Sequence, residues 1–572
     1  MNASHAETRW LASLLVASLG WGAAAAEARR DRWCTEPAVT VDFDMEHIPE
    51  PKERERSFYY DFLYSTFGLQ VKEALDVPRS ARKVSGSPKP ASNVNCLAEV
   101  PDSSWFTNRH ARQPLGLDAL IKGPNRGSGP APGVWAVVRG KTEGVTPGFL
   151  IRDARNEIYQ LKFDPPSNPE MSTAAEVIAS KLYYAAGYNV KENYLVTFDR
   201  ASLALDPKAT TEDRFGRKEP MTEAHLNVIL SKVARRPDGL YRAVAGKYLD
   251  GIPKGPFAFE GVREDDPNDW VPHEHRRDLR GLRVLVSWIN DNDFREGNTL
   301  DMYVEDEGRR FLRHYLIDAG SSLGSETGFA NPDRIGHEYQ LDLGQVAKSF
   351  FSLGLYRRPW KGSSRHAAYP SVGFLEADLF DPGRWRANYP ILPFENMSRQ
   401  DAFWGTRLVF SFTDEQIRAL AETGEFNDPD ATRFLADVLI RRRDKIARHW
   451  LSQVNPLDRF QVWRDAGGTW HLVYEDLELA QDLIRREDRR YEYSVRPEGP
   501  STRLRTGAGR PLIARQPSGT PSVSLDGVTR DGSVSRVSLW SLHRGRQQGE
   551  RIDVYLRTRS GRVELIGIDR EE

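Results

Sequence analysis

The chain has 572 residues, 39% of them hydrophobic and 10% aromatic. That composition is globular rather than disordered, and the length predicts roughly two to four domains instead of one core. Lysine and arginine number 80 against 81 acidic residues, so the formal net charge is −1 and no overall field draws the chain to nucleic acid or to an anionic membrane surface.

The N-terminus reads as a secretory signal over 1–26. Arg9 is the basic residue before an apolar run from Trp10 to Ala26, and the small residues Ala24 and Ala26 precede a cut near Ala26. The run is shorter than the ~20 residues that a spanning helix needs; an uncleaved anchor is the alternative. No later stretch is apolar enough to span, so the mature chain is expected to be exported, periplasmic or extracellular, with no membrane span. Cys34 and Cys96 are the two cysteines. Export permits a disulfide between them, two free thiols are the alternative, and a pair cannot build a cysteine-type zinc site.

Residues 27–132 are irregular and polar, with Pro/Gly clusters at 85–90 and 123–130 and one helix expected over 56–75. Trp105 and Phe106 are too apolar for a free tail, so this segment is expected to pack on the main domain. From Gly133 the pattern sharpens. Strands are expected over 134–138, 149–151 and 158–163, the first two joined by a connector with Gly140, Gly144 and Gly148. A helix follows over 172–186, capped by Ser172 or Thr173 and ended by Gly187. Residues 193–198 are extended, 199–240 read as an insertion without periodicity, and 242–249 form a strand leading out. A helix over 273–289 carries Leu279, Leu282, Leu285, Val286 and Ile289 on one face. Strands over 299–304 and 311–317 flank a turn at 305–308, and helices fit 414–423 and 430–453. The arginine clusters 441–443 and 489–490 read as solvated faces. From Phe460 the chain is β-rich, with hairpins at 463–470 and 554–568, and 459–572 is expected to form a β-sandwich-like domain.

The chemistry lies in Asp293-Phe-Arg295-Glu-Gly-Asn298 and in Asp318-Ala-Gly320 beyond the strand pair. Phosphoryl transfer needs a carboxylate to orient the attacking hydroxyl, an amide and a second carboxylate to hold Mg²⁺, and a cation near the phosphates. Alternation puts Ile158, Gln160 and Lys162 on one strand face, where a lysine must find an anion or reach solvent. Glu176 lies in the next helix. The pattern D-x-[KR]-x-x-N, two strands, then D-x-G resembles the catalytic core of the protein-kinase-like fold over about 133–450. Atypical members are nearest: HipA-type bacterial kinases, phosphoinositide kinases, spore-coat CotH kinases and secretory-pathway kinases.

The resemblance implies an α+β, bilobal kinase-like domain over 133–458, with a small antiparallel β lobe over 133–250 and a larger helical lobe over 251–458. It implies ATP and Mg²⁺ as cofactors and a protein, sugar or lipid acceptor. Asp293 would accept the hydroxyl proton, Arg295 would neutralise the transferred phosphoryl, and Asn298 and Asp318 would bind Mg²⁺. Lys162 and Glu176 would hold the phosphates under a cover near Gly144 and Gly148. The chain departs from the pattern in lacking G-x-G-x-x-G, in having Asn290-Asp291-Asn292 before Asp293, and in having Asp-Ala-Gly for D-F-G. An inactive scaffold of the same fold is the main alternative. A minor one is a serine hydrolase, because Gly320-Ser-Ser322-Leu-Gly324 matches the nucleophile elbow, which needs a helix after it. His273-Glu-His275 lacks metal-site spacing and reads as surface.

Overall fold

The computed structural model describes residues 33–34, 37–54, 63–78, 81–82, 88–140, 147–212, 217–353, 355–358, 360, 369–498, 521–525 and 531–570. The expected signal segment and Gly144 lie outside the described residues.

The fold is mixed α and β. The first sheet is built from β1 (Trp135–Gly140), β2 (Gly148–Arg152), β3 (Ile158–Phe163), β5 (Asn193–Phe198), β6 (Leu203–Glu212), β7 (Lys218–Pro220) and β8 (Tyr241–Lys247), in the order β5-β8-β3-β2-β1-β6-β7. Its neighbours are antiparallel except β1 and β6. Period-two alternation is legible in β3: Tyr159, Leu161 and Phe163 join the sheet's apolar cluster, and Lys162 takes the other face. The segment read as an unpatterned insertion contains β6, β7 and the helix Glu223–Leu230. β6 contributes only Leu203 and Ala209 to the buried cluster, with Leu205 half-buried against it, so its alternation is faint in sequence.

A second sheet has the order β4-β11-β10-β9, from β4 (Asn189–Val190), β9 (Ile252–Pro253), β10 (Thr299–Asp306) and β11 (Arg309–Leu316). Between the two sheets' strands in the sequence runs the helix Met171–Ala186. Neither Ser172 nor Thr173 caps it. Its N-cap is Glu170 in a left-handed conformation, and the Asp164 carboxylate accepts from the Thr173 amide at 2.8 Å and from its hydroxyl at 2.7 Å.

The helix Arg277–Ile289 was expected to bury one face, but all 13 of its residues are buried. Its polar residues are satisfied inside the protein. Arg277 and Arg280 share Asp401 at 3.0 and 3.3 Å, and Arg283 donates to the carbonyls of Pro382, Gly383 and Trp385. The helix Arg399–Phe410 crosses it at Gly281 and Gly405, where a Cβ on Gly405 would strike the Gly281 carbonyl. The helices Asp414–Glu422 and Pro429–Leu451 complete this core. The arginine clusters are only partly solvated. Arg442, Arg443 and Arg489 are buried, and Arg489 pairs with Asp476 at 2.8 Å and with Glu478.

The C-terminal strands are β12 (Leu457–Arg464), β13 (Trp470–Asp476), β14 (Arg489–Glu498), β15 (Ser522–Ser524), β16 (Val534–His543), β17 (Arg546–Arg559) and β18 (Arg562–Arg570). They form sheets β12-β13-β15 and β14-β16-β17-β18, which share one apolar cluster including Leu457, Leu472, Val537 and Val554. Cys34 and Cys96 are joined in a disulfide. Among the described residues no helix is long and apolar enough to cross a membrane.

Candidate functional site

Lys162 is delivered by β3, opposite Gly148 on β2 and Val244 on β8. Its side chain is 6% exposed and bridges two carboxylates, Glu176 Oε2 at 3.0 Å and Asp318 Oδ1 at 2.7 Å. Burial opposes a charge there, but Asp318 and then Glu176 carry the ammonium above the ordinary lysine value. Glu176, buried in its helix, is reached from the other side by Lys191, whose Nζ lies 3.2 Å from Oε1. Burial would raise the Glu176 carboxyl; the two ammoniums hold it below the usual range.

The turn after β11 brings Asp318 here. Asp318 itself takes the left-handed conformation, φ 62°, which short polar side chains tolerate better than most. Gly320 supplies space: a Cβ there would sit 3.0 Å from Glu176 Oε2 and 3.3 Å from Ser172 Oγ.

Asp293 follows the helix Arg277–Ile289, which is closed by Asn290 at φ 54°. Asn298 Nδ2 donates to the Asp293 carboxylate at 3.1 Å and to its carbonyl at 2.8 Å. Arg295 Nε lies 3.2 Å from Asp293 Oδ1, so this guanidinium sits on the carboxylate of Asp293. Burial raises the Asp293 carboxyl, Arg295 and Asn298 oppose the rise, and Asp318 adds to it. The register Thr299↔Leu316 and the bond from Ile317 N to Asn298 O, 2.9 Å, bring the two ends of the hairpin together. Asp291, Asp293, Asn298, Asp318, Glu176 and Lys191 line one pocket.

Asp291 and Lys191, with Tyr183 on the same pocket wall, are not among the residues expected from sequence. Asp291 is buried and accepts from Tyr183 Oη at 2.6 Å; its nearness to Asp293 in the chain was the available signal. Lys191 and Tyr183 gave no sequence signal, because their partners lie on other elements. Of the residues expected to cover phosphates, Gly148 is buried within β2. Ser322 is fully buried, its hydroxyl donates to the Ala319 carbonyl at 2.7 Å, and the next helix begins only at Leu343; this geometry does not fit a nucleophile elbow. His273 is buried rather than on the surface, bonded to Asp269 at 2.8 Å.

Among the described residues no group of three or more His, Cys, Asp and Glu is placed to hold a metal alone. A Mg²⁺ ion keeps waters and takes a few protein oxygens beside phosphate oxygens. Asn298 and Asp318 offer such hard donors. Burial first, and then neighbouring carboxylates (Asp293 and Asp318 at Asp291, Asp318 at Asp293), raise the Asp291 and Asp293 carboxyls, and such a group of acids is a charge pattern that a divalent cation offsets. The residues present therefore fit the ion.

No protein-family model and no curated protein matches the chain. Solved structures do. A Helicobacter pylori proinflammatory kinase, CtkA, matches at 13% identity and TM-score 0.28, over 53% of this chain and 94% of that one. The Golgi casein kinase matches at 11% identity over 72% of this chain and 97% of that one, with TM-score 0.28 for its Mn/ADP-bound form and 0.29 for a second structure.

Proposed function

We propose that the chain is an atypical kinase-like phosphotransferase that uses ATP and Mg²⁺, with a small sheet-based lobe, a larger helical lobe and a C-terminal β domain, acting outside the cytoplasm on a protein, sugar or lipid hydroxyl. The observation that carries this reading is the bridge from Lys162 to Glu176 and Asp318, three elements meeting beside Asp293 and Asn298. The Cys34–Cys96 disulfide supports export, since such bonds persist in oxidising compartments.

Asn298 and Asp318 would hold Mg²⁺, which would supply positive charge to offset that of the phosphates. Lys162 is placed to turn from Asp318 to the phosphates, keeping Glu176 as its anchor. Asp293 orients the acceptor hydroxyl and takes its proton, and Asn298 fixes that carboxylate's direction. Arg295 moderates the charge on Asp293.

A thermal-shift titration tests this. Saturating Mg–ATP should stabilise the parent, by about 2.7 kcal/mol at a hundredfold excess over Kd. Asp318→Asn should lose the Mg²⁺-dependent shift. Asp293→Asn should keep it and lose transfer. A parent that never shifts defeats the reading and leaves a kinase-like scaffold.

A further inference from the structure

We propose that Lys191 is a positioning residue of this site, holding the Glu176 carboxylate so that Lys162 is free to engage phosphate. The inference rests on the phosphotransferase reading. Lys191 follows β4 and is 12% exposed; Lys162 and Glu176 are 6% and 2% exposed. The four groups form a chain of alternating sign: Lys191, Glu176, Lys162, Asp318, with contacts of 3.2, 3.0 and 2.7 Å.

Their formal charges cancel in this arrangement. When Asp318 turns to a metal ion, the remaining three carry one net positive charge, which suits a polyanion. Without Lys191 they would carry none, and Lys162 would be neutralised by Glu176 just when the phosphates need it. A buried charge in a low-dielectric site acts strongly over such distances, so the second lysine decides the sign of these three groups taken together.

Gly246 on β8 makes room for this contact. It pairs with Asn193 across the strands. A Cβ on it would lie 3.0 Å from Lys191 Nζ and 3.0 Å from Asn193 Oδ1. Its φ is not in the left-handed region, so the glycine supplies space and not backbone freedom. Alanine at this position keeps every charge and presses on the Lys191 ammonium and on Asn193 Oδ1.

The test is the affinity for a fluorescent ATP analogue with Mg²⁺, measured on the full chain. Lys191→Met should bind about tenfold more weakly or worse, and Lys191→Arg should recover to within about threefold of the parent, as a charge role requires. Gly246→Ala should weaken binding in the same direction. If the parent binds and Lys191→Met binds equally well, Lys191 has no such role and the phosphotransferase reading stands. Failure of Lys191→Arg to rescue also overturns the charge argument. If the parent does not bind, both fall. Should Lys191→Met not fold, Gly246→Ala carries the test, and parent-like binding by it overturns the proposal.

Discussion

Asp291 is buried two positions before Asp293, and its carboxylate accepts from Tyr183. Burial raises its carboxyl well above the ordinary range against that hydrogen bond, and the charges of Asp293, Asp318 and Glu176 raise it further. A group whose folded pKa is raised binds its proton more tightly in the folded state, so its ionisation costs stability as pH rises through that pKa. Asp291→Asn keeps an acceptor for Tyr183 and removes the charge. The variant should therefore melt higher than the parent near neutral pH. The gain should shrink as pH falls into the usual carboxylate range, where Asp291 is protonated whether folded or not. Melting curves from pH 4 to 8 check this; a constant gap would mean that packing, not charge, sets the difference. Lys162, Glu176, Asp293, Asn298 and Asp318 could be named from sequence because each type has one place in a linear order. Lys191 and Tyr183 could not, because a buried base or hydroxyl is recognised by its partners, and these lie on other elements; Asp291 had only its nearness to Asp293 as a signal.

At the scale of elements, the local pattern placed β3 and β5 at their observed bounds, and in β3 it did so through alternation ended by Pro165 and Pro166. The helix Arg277–Ile289 was found but misjudged as amphipathic, because its arginines are satisfied by residues far along the chain. Arg442 is the clearest case. It was read as part of a solvated cluster, yet its guanidinium donates to the carbonyls of Ser287 at 2.6 Å, Trp288 at 2.8 Å and Glu376 at 2.7 Å, and it stacks 3.7 Å from the Phe380 ring centre. Burial pushes it down to about 9. Two of those carbonyls belong to the last turn of the helix, which leads directly into Asp293. Arg442 thus serves as a C-terminal cap delivered from the helix Pro429–Leu451. Arg442→Met would leave buried carbonyls without a donor, and should cost about 3 kcal/mol or more. Urea denaturation measures that loss, and Mg–ATP binding should weaken with it because the Asp293 loop loses its support. A midpoint equal to the parent's would show that water replaces the guanidinium.

At the scale of the whole molecule, the N-terminal segment ties distant parts together. Cys34 N donates to Ile566 O at 2.9 Å and Ile568 N donates to Cys96 O at 2.8 Å, so the disulfide lies against β18. A few residues on, Phe106 is wholly buried, and Trp105 stacks on His314 of β11 at 3.5 Å beneath the Arg276 guanidinium at 4.5 Å. The same segment therefore grips the C-terminal sheet at one end and the back of the hairpin that carries Asp318 at the other. Cross-linking across a separation of 62 residues restricts the unfolded chain, an effect of about 2–4 kcal/mol. Cys34→Ser with Cys96→Ser should lower the melting temperature accordingly and should make 37–54 more open to proteolysis. The Trp105 anchor is independent of the bond, so Mg–ATP binding below the melting range should be unchanged. Limited proteolysis and the nucleotide titration, run on the same variant, separate the two ends of the tie. If binding fell together with stability, the disulfide would be holding the site's hairpin as well as the C-terminal sheet.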